Sequence, residues 1–227
     1  MKERRVFRWF VGILAGIMLF TGVQASPVQA AKKISYNKAV MMYNNKMSWW
    51  ARRNSRFTIT YDLRFCPVWT SFNDKGKRIP ARSFYYGSLR YVIRDVSGDG
   101  IPEAFFYSNK YRAMVVLTIY KNKVKLLGTF RVTDFYPSPV RYNRNNRSFI
   151  LETMVTGRSS TVCRFQIKNG RLYRKAMLSK YIAPMERDGR DHSSYYINFN
   201  KRSVSKRTYN NYYRKYFRYT NRYTWGP

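Results

Sequence analysis

The hydrophobic residues that follow residue 34 first recur with a helical period. The apolar positions in this segment are Tyr36, Ala39, Val40, Tyr43, Met47 and Trp50. Spacings of three and four residues place these side chains on one face, so the pattern predicts an amphipathic helix over 35–51. Ser35 precedes the first apolar position and is the expected N-cap.

A second helical pattern lies close to the end of the chain. Its stripe is aromatic and consists of Tyr209, Tyr212, Tyr213 and Tyr216. The same spacing argument predicts a helix over 204–218, with Ser203 or Ser205 as the cap. Residues 219–227 are expected to form a tail.

Between these helices the hydrophobic pattern is that of strands. Alternating or β-branched runs occupy 57–63, 88–94, 113–120, 124–132 and 147–155, and residues 73–80 form a polar turn or loop. Two pairs of runs are joined by short turns, at Lys121–Lys123 and at Asn169-Gly170, which is a strong hairpin signal. Strands joined by short turns over 57–180 favour an antiparallel meander over alternating β-α-β units.

The patterns together predict an α+β fold. We expect an antiparallel β-meander sheet with the N-terminal and the C-terminal helix packed on it, in a single domain over 31–227. Aromatic residues make up 18% of the chain, which gives this domain enough apolar surface for a core.

Acidic residues cluster at one point of a very basic chain. The protein has 44 Lys and Arg but 11 Asp and Glu, yet Asp95, Asp99 and Glu103 fall within nine residues, in DVSGDGIPE. Oxygen-bearing side chains stand at alternate positions, and Gly100 permits a sharp reversal of the backbone. Calcium takes six to eight oxygen ligands. The spacing therefore predicts a structural Ca²⁺ loop whose ligands are Asp95, Ser97, Asp99, the carbonyl of Ile101, and Glu103.

An alternative interpretation of this loop needs no metal. Asp95 and Asp99 would then accept hydrogen bonds from backbone amides in an Asp-Gly turn. Three carboxylates this close repel one another unless a cation or protons intervene, and the surrounding positive charge relieves part of that repulsion. The residues alone leave both interpretations open.

The first thirty residues have the pattern of a signal peptide. Lys2, Arg4, Arg5 and Arg8 precede an uncharged apolar stretch over 9–23, which is short for a membrane span. Val28-Gln29-Ala30 is a small-x-small cleavage signal, so we expect cleavage between Ala30 and Ala31, with residues 1–30 as the signal peptide. The protein would then be secreted or associated with the cell surface. The alternative is an uncleaved N-terminal anchor.

The positive charge indicates the kind of partner. A net charge of +33 draws a protein to polyanions, which outside a cell include anionic cell-wall polymers, acidic polysaccharides and anionic lipid surfaces. Nucleic acid would bind only non-specifically. No acidic residue follows His192, and the candidate polyanion-binding residues lie in that segment: Lys201, Arg202, Lys206, Arg207, Arg214, Lys215 and Arg218. Alternatively, the tyrosine stripe packs on the sheet and the basic face is only solvated.

The two cysteines, Cys66 and Cys163, are candidates for a disulfide bond. In an oxidising compartment two cysteines can pair, and closing so long a loop stabilises a fold by about 4–5 kcal/mol in the chain-entropy model. The alternative is two separate buried thiols. No CxxC motif or Cys-His cluster points to a zinc site.

Part of the chain resembles a known family. The stretches SLRYVIRDVSGDGIPEAFFY and VLTIYKNKVKLLGTF, and the later SVSKRTYNNYYRKY, are similar to segments of uncharacterised secreted proteins of Gram-positive bacteria that carry an FG-GAP-like calcium-type loop. Ser97 stands where such loops usually have a second Asp. The resemblance implies export and a compact helix-plus-meander domain, without implying an activity.

These observations favour an exported, non-catalytic, cell-envelope or extracellular binding protein that adheres to anionic polymers. One alternative is a secreted hydrolase with an unrecognised active site, for which the candidate groups are Glu152, Glu186 and His192. The chain has neither a GxSxG nor an HExxH motif. The other alternative is a cationic colonisation factor that acts on membranes.

Overall fold

A computed structural model describes residues 34–63, 74–85, 90–132, 140–143, 145–156, 159–182, 193–198, 202–218 and 221–223. Every helix, strand and core cluster given below lies in one compact unit, Lys33–Pro227, which therefore has a hydrophobic core of its own.

Three helices and thirteen strands make up the described residues. The helices are α1 (Tyr36–Arg52), α2 (Arg82–Tyr85) and α3 (Lys206–Tyr216). The strands are β1 (Arg56–Thr58), β2 (Tyr61–Asp62), β3 (Arg78–Pro80), β4 (Arg90–Arg94), β5 (Glu103–Ser108), β6 (Ala113–Tyr120), β7 (Lys123–Arg131), β8 (Val140–Asn143), β9 (Ser148–Thr156), β10 (Ser159–Lys168), β11 (Arg171–Ile182), β12 (Ser193–Ile197) and β13 (Asn221–Tyr223).

The predicted α+β class is confirmed, with three sheets where one was expected. β1 pairs with β3, a five-stranded sheet has the order β2-β7-β6-β5-β4, and a six-stranded sheet has the order β12-β11-β10-β9-β8-β13. All the pairs are antiparallel except β2 with β7. The meander is thus divided into two, β4 to β7 and β8 to β12.

The segment predicted as a single strand over 57–63 is split between two sheets. The amide of Ile59 donates to the carbonyl of Lys77 at 2.9 Å, whereas the next amide, that of Thr60, donates to the carbonyl of Thr129 at 2.8 Å. The chain therefore changes its hydrogen-bonding partner between these two residues. Part of the predicted polar turn, Arg78–Pro80, is accordingly a strand.

Both predicted long helices are confirmed, with their caps. The Ser35 side chain accepts a hydrogen bond from the amide of Lys38, and that of Ser205 accepts one from Thr208. The predicted tail contributes β13, which pairs with β8. None of the helices in the described residues is both long and apolar enough to cross a membrane.

Three hydrophobic clusters hold these layers together. The first lies between the two large sheets, where Phe105 and Phe130 of one sheet meet Phe149 and Phe165 of the other with ring centroids 5.1–5.2 Å apart. The second packs α1 on the outer face of the five-stranded sheet, and the third packs α3 on the outer face of the six-stranded sheet. The order of layers is helix, sheet, sheet, helix.

Candidate functional site: the acidic loop and the basic helix

The acidic loop, residues 95–103, joins β4 to β5 beneath α1. Arg94 and Glu103 are the last paired residues of this hairpin. Gly98 and Gly100 have φ values of 71° and 83°, a left-handed conformation that glycine adopts without steric cost. The two glycines let the loop fold back on its own side chains.

Asp95 is half-buried, and its carboxylate accepts hydrogen bonds from three backbone amides. Its Oδ1 accepts from the amides of Gly98 at 2.6 Å and Asp99 at 3.2 Å, and its Oδ2 accepts from Gly100 at 3.0 Å. Asp99 is exposed, and its Oδ1 accepts from the amide of Ile101 at 2.9 Å. These bonds are the ones that the metal-free Asp-Gly turn requires.

Glu103 is wholly buried at the base of the loop. Its Oε2 accepts from the amides of Val96 at 3.0 Å and Ser97 at 3.2 Å, whereas its Oε1 has no hydrogen-bond partner. Burial raises the pKa of this carboxyl well above its ordinary value, and the charge of Asp99 raises it further, while the two amides act in the opposite direction. Ionising Glu103 in this buried position is therefore costly. Either a bound proton or a neighbouring cation would remove that cost.

Helix α1 covers this loop through Tyr43. The Tyr43 hydroxyl donates to the carbonyl of Pro102 at 2.5 Å, and the ring is fully buried. Burial raises the pKa of Tyr43, as do the charges of Glu103 and Asp99. This contact spans 59 residues of sequence, and no local pattern in the sequence indicates it.

The predicted calcium ligands fit a cation in part. Ser97 links two of them, since its amide donates to Glu103 and its hydroxyl lies 3.5 Å from Asp95 Oδ1. The free Oε1 of Glu103 is an oxygen that a cation would satisfy. Yet no three His, Cys, Asp or Glu side chains of the described residues are grouped so as to hold a metal. The Ca²⁺ site stays a prediction, and it requires Asp99 to turn inward.

The basic residues of the C-terminal segment are on the surface. Exposed members of the predicted set are Arg202, Lys206, Arg207, Arg214, Lys215 and Arg218, whereas Lys201 lies outside the described residues. We call the exposed side of α3, from Lys206 to Lys215, the basic face. No acidic residue occurs in this helix.

The tyrosine stripe of α3 packs against the sheet. Tyr209, Tyr212, Tyr213 and Tyr216 are half-buried against the cluster around Ile150 and Leu178. Arg164, which is partly buried, donates to the carbonyl of Tyr216 at 3.3 Å and so holds the end of the helix. These rings are therefore structural, and the accessible side of α3 carries four cations together with Thr208, Asn210 and Asn211.

The other candidate groups are placed as follows. Glu152 forms an ion pair with Arg141 of the neighbouring strand, which occupies the carboxylate. Cys163 is completely buried in β10, and burial raises the pKa of its thiol to about 12. Four other predicted residues and the predicted cleavage site lie outside the described residues: Cys66, Glu186, His192, Lys201, and Ala30 with Ala31. The disulfide and the cleavage site stay predictions.

Comparison of the chain with protein-family models, with curated proteins and with solved structures found no match.

Proposed function

We propose that this chain is an exported, non-catalytic binding protein of the cell envelope or extracellular space. Its partners are anionic polymers, either a wall polymer or an acidic polysaccharide. The observation that carries this proposal is the basic face of α3, which is exposed and contains no acidic residue.

The use of the carboxylates within the fold supports this proposal. Each of the six acidic side chains in the described residues accepts a hydrogen bond or forms an ion pair within the chain. The contacts are those of Asp62, Asp74, Asp95, Asp99, Glu103 and Glu152. Acidic groups of the whole chain number a quarter of the basic ones, so most of the positive charge has no internal counter-charge. Polyanions supply that counter-charge.

The placement of charge on α3 also supports a binding role. Lys206 and Arg207 lie in the first turn, where the helix dipole disfavours cations by about 0.3–1 kcal/mol each. Helix stability therefore does not account for these two residues. A polymer phosphate or carboxylate near this end would interact favourably with both cations and with the dipole.

A double substitution on the basic face tests the proposal. Arg207→Gln with Arg214→Gln should lower affinity for purified Gram-positive cell-wall sacculi by about two- to thirtyfold, since each of the two exposed ion pairs contributes about 0.2–1 kcal/mol. Lys123→Gln with Lys168→Gln removes the same charge from two hairpins outside α3 and should change affinity less. Equal losses from both variants, or equal binding after the anionic polymers are stripped from the sacculi, would refute the proposal.

The proposal includes a structural Ca²⁺ ion in the acidic loop. The ligands would be Asp95, Ser97, Asp99, the carbonyl of Ile101, and Glu103, and the ion would neutralise the buried carboxylate. If Ca²⁺ binds only the folded chain, the midpoint of thermal unfolding rises with its concentration. The Glu103→Gln variant should lose that rise. Equal midpoints in calcium and in chelator would reject the ion while leaving polymer binding untouched.

A further inference from the structure

Helix α1 exposes several large apolar side chains. Among the described residues, five large hydrophobic side chains are strongly exposed, and three of them belong to α1: Tyr36 at 45%, Met41 at 56% and Trp49 at 38%. Tryptophan side chains are highly buried on average, so an exposed one is unusual. Helix α1 therefore exposes large apolar side chains in addition to the apolar stripe that it buries in the core.

Met41 and Trp49 face away from the sheet. The core stripe of α1 is Ala39, Tyr43, Met47 and Ala51, which are buried. At 100° per residue, Met41 and Trp49 lie on the other side of the helix, two turns and roughly 12 Å apart. Lys38 and Arg52 are exposed on this side as well. This side of the helix thus has a cation near each end, with Met41, Asn45 and Trp49 between them.

The Trp49 ring is flanked by cations. Lys46 Nζ lies 4.0 Å and Arg53 Cζ 4.5 Å from its ring centroid. These cations occupy the π face on which a sugar ring would stack, so the arrangement disfavours a saccharide. Phosphate groups, in contrast, would pair with both cations while the indole remained between them.

We propose that the outward side of α1, formed by Lys38, Met41, Lys46, Trp49, Arg52 and Arg53, docks on an anionic lipid bilayer. The helix lies parallel to the surface, with Trp49 and Met41 at the level of the headgroups and the cations on lipid phosphates. Charge complementarity identifies the occupant, because α1 contains no acidic residue and carries three basic residues besides Arg53 at its end. Tryptophan favours this interface because its ring is apolar and its N–H is polar.

Vesicle co-sedimentation tests this docking surface, using residues 33–227, the unit that contains the whole described core. Binding to vesicles of phosphatidylglycerol and phosphatidylcholine should weaken about fivefold in Lys46→Gln, since one basic residue near such a surface contributes on that order. Trp49→Ser should weaken binding at least as much. High salt should release the protein, and pure phosphatidylcholine should bind it poorly.

Tyr173→Ser is the matched control. Tyr173 is 42% exposed on β11 and has Lys175 Nζ 5.7 Å from its ring, so it reproduces the exposed ring and its cation on another element. This variant should bind vesicles like the unsubstituted chain. Wild-type binding by a folded Trp49→Ser variant would overturn the proposal. So would a Trp49→Ser defect on wall sacculi without one on vesicles, which would identify a saccharide partner.

Discussion

Glu103 is a carboxylate that solvent does not reach, and its protonation couples folding to pH. Its pKa in the folded chain is raised, mainly by burial. Between its ordinary value in the unfolded chain, about 4.3, and the raised folded value, only the folded state keeps the proton. The unfolded state then binds fewer protons, so the free energy of unfolding falls as pH rises through this window.

Substitution Glu103→Gln removes this pH dependence. Glutamine keeps an oxygen that can accept from the amides of Val96 and Ser97, but it does not ionise. In chelator, the stability of the variant relative to the unsubstituted chain should improve steadily as pH is raised above about 4.3. Urea denaturation at a series of pH values measures this difference. A constant difference across the series would show that Glu103 titrates normally.

The acidic loop was only partly predictable from sequence. Amide bonding by Asp95 and Asp99 follows from the Asp and Gly spacing, and it was one of the two open interpretations. The burial of Glu103 does not follow from any local pattern, because every residue of β5 is buried. Which residues of β5 face α1 and which face the second sheet depends on packing against elements that are distant in sequence.

At the scale of elements, the two short hairpin turns show how local sequence determines structure. Lys121 and Asn122 have φ values of 50° and 58°, and Asn169 and Gly170 have 53° and 61°. Positive φ at both central positions is the type I′ geometry, which matches the twist of the flanking strands. Both turns, like the serine caps of α1 and α3, were predictable because the determining residues are adjacent in the chain.

The Gly170 turn also brings the two large sheets into contact. A Cβ atom added at Gly170 would stand 2.6 Å from Cγ and 2.8 Å from Cβ of Tyr120 in β6, whereas one added at Gly76 would meet nothing within 4 Å. Gly76 has a φ of 93°, so both sites disfavour alanine through the backbone. Gly76→Ala should therefore cost about 1–2 kcal/mol from backbone strain alone.

Gly170→Ala should cost about 1–3 kcal/mol more than Gly76→Ala, because the atoms that the methyl group meets lie near the backbone of Tyr120 and cannot swing away. Chemical denaturation of both variants measures the two costs. Equal costs would mean that β6 and the Gly170 turn separate easily.

Strands that depend on distant partners were the elements that local reasoning missed. β3 and β13 are three residues each, and they exist because β1 and β8 offer them hydrogen bonds. The division of 57–63 has the same origin, since β3 and β7 compete for adjacent residues. A run this short carries no period that distinguishes a strand from a turn.

At the scale of the whole molecule, the division of the meander into two layers is explained by the core. β6 is buried on both faces, with Met114 and Val116 in the cluster between the sheets, and Val115, Leu117 and Ile119 under α1. A sheet buried on both faces needs a covering layer on each. The hydrophobic run of β6 was visible in the sequence. The run does not indicate whether a helix or a second sheet covers each face of the strand.

The excess positive charge acts on the stability of the whole fold. Self-repulsion among cations disfavours the compact state, and salt screens it. Raising NaCl from about 0.01 M to 0.1 M shortens the Debye length from about 30 Å to 10 Å, so the midpoint of thermal unfolding should rise. In Lys123→Glu with Lys168→Glu, both exposed, the midpoint at low salt should be higher and its response to salt smaller. A midpoint that falls with salt in differential scanning calorimetry would instead mean that attractive ion pairs outweigh the repulsion.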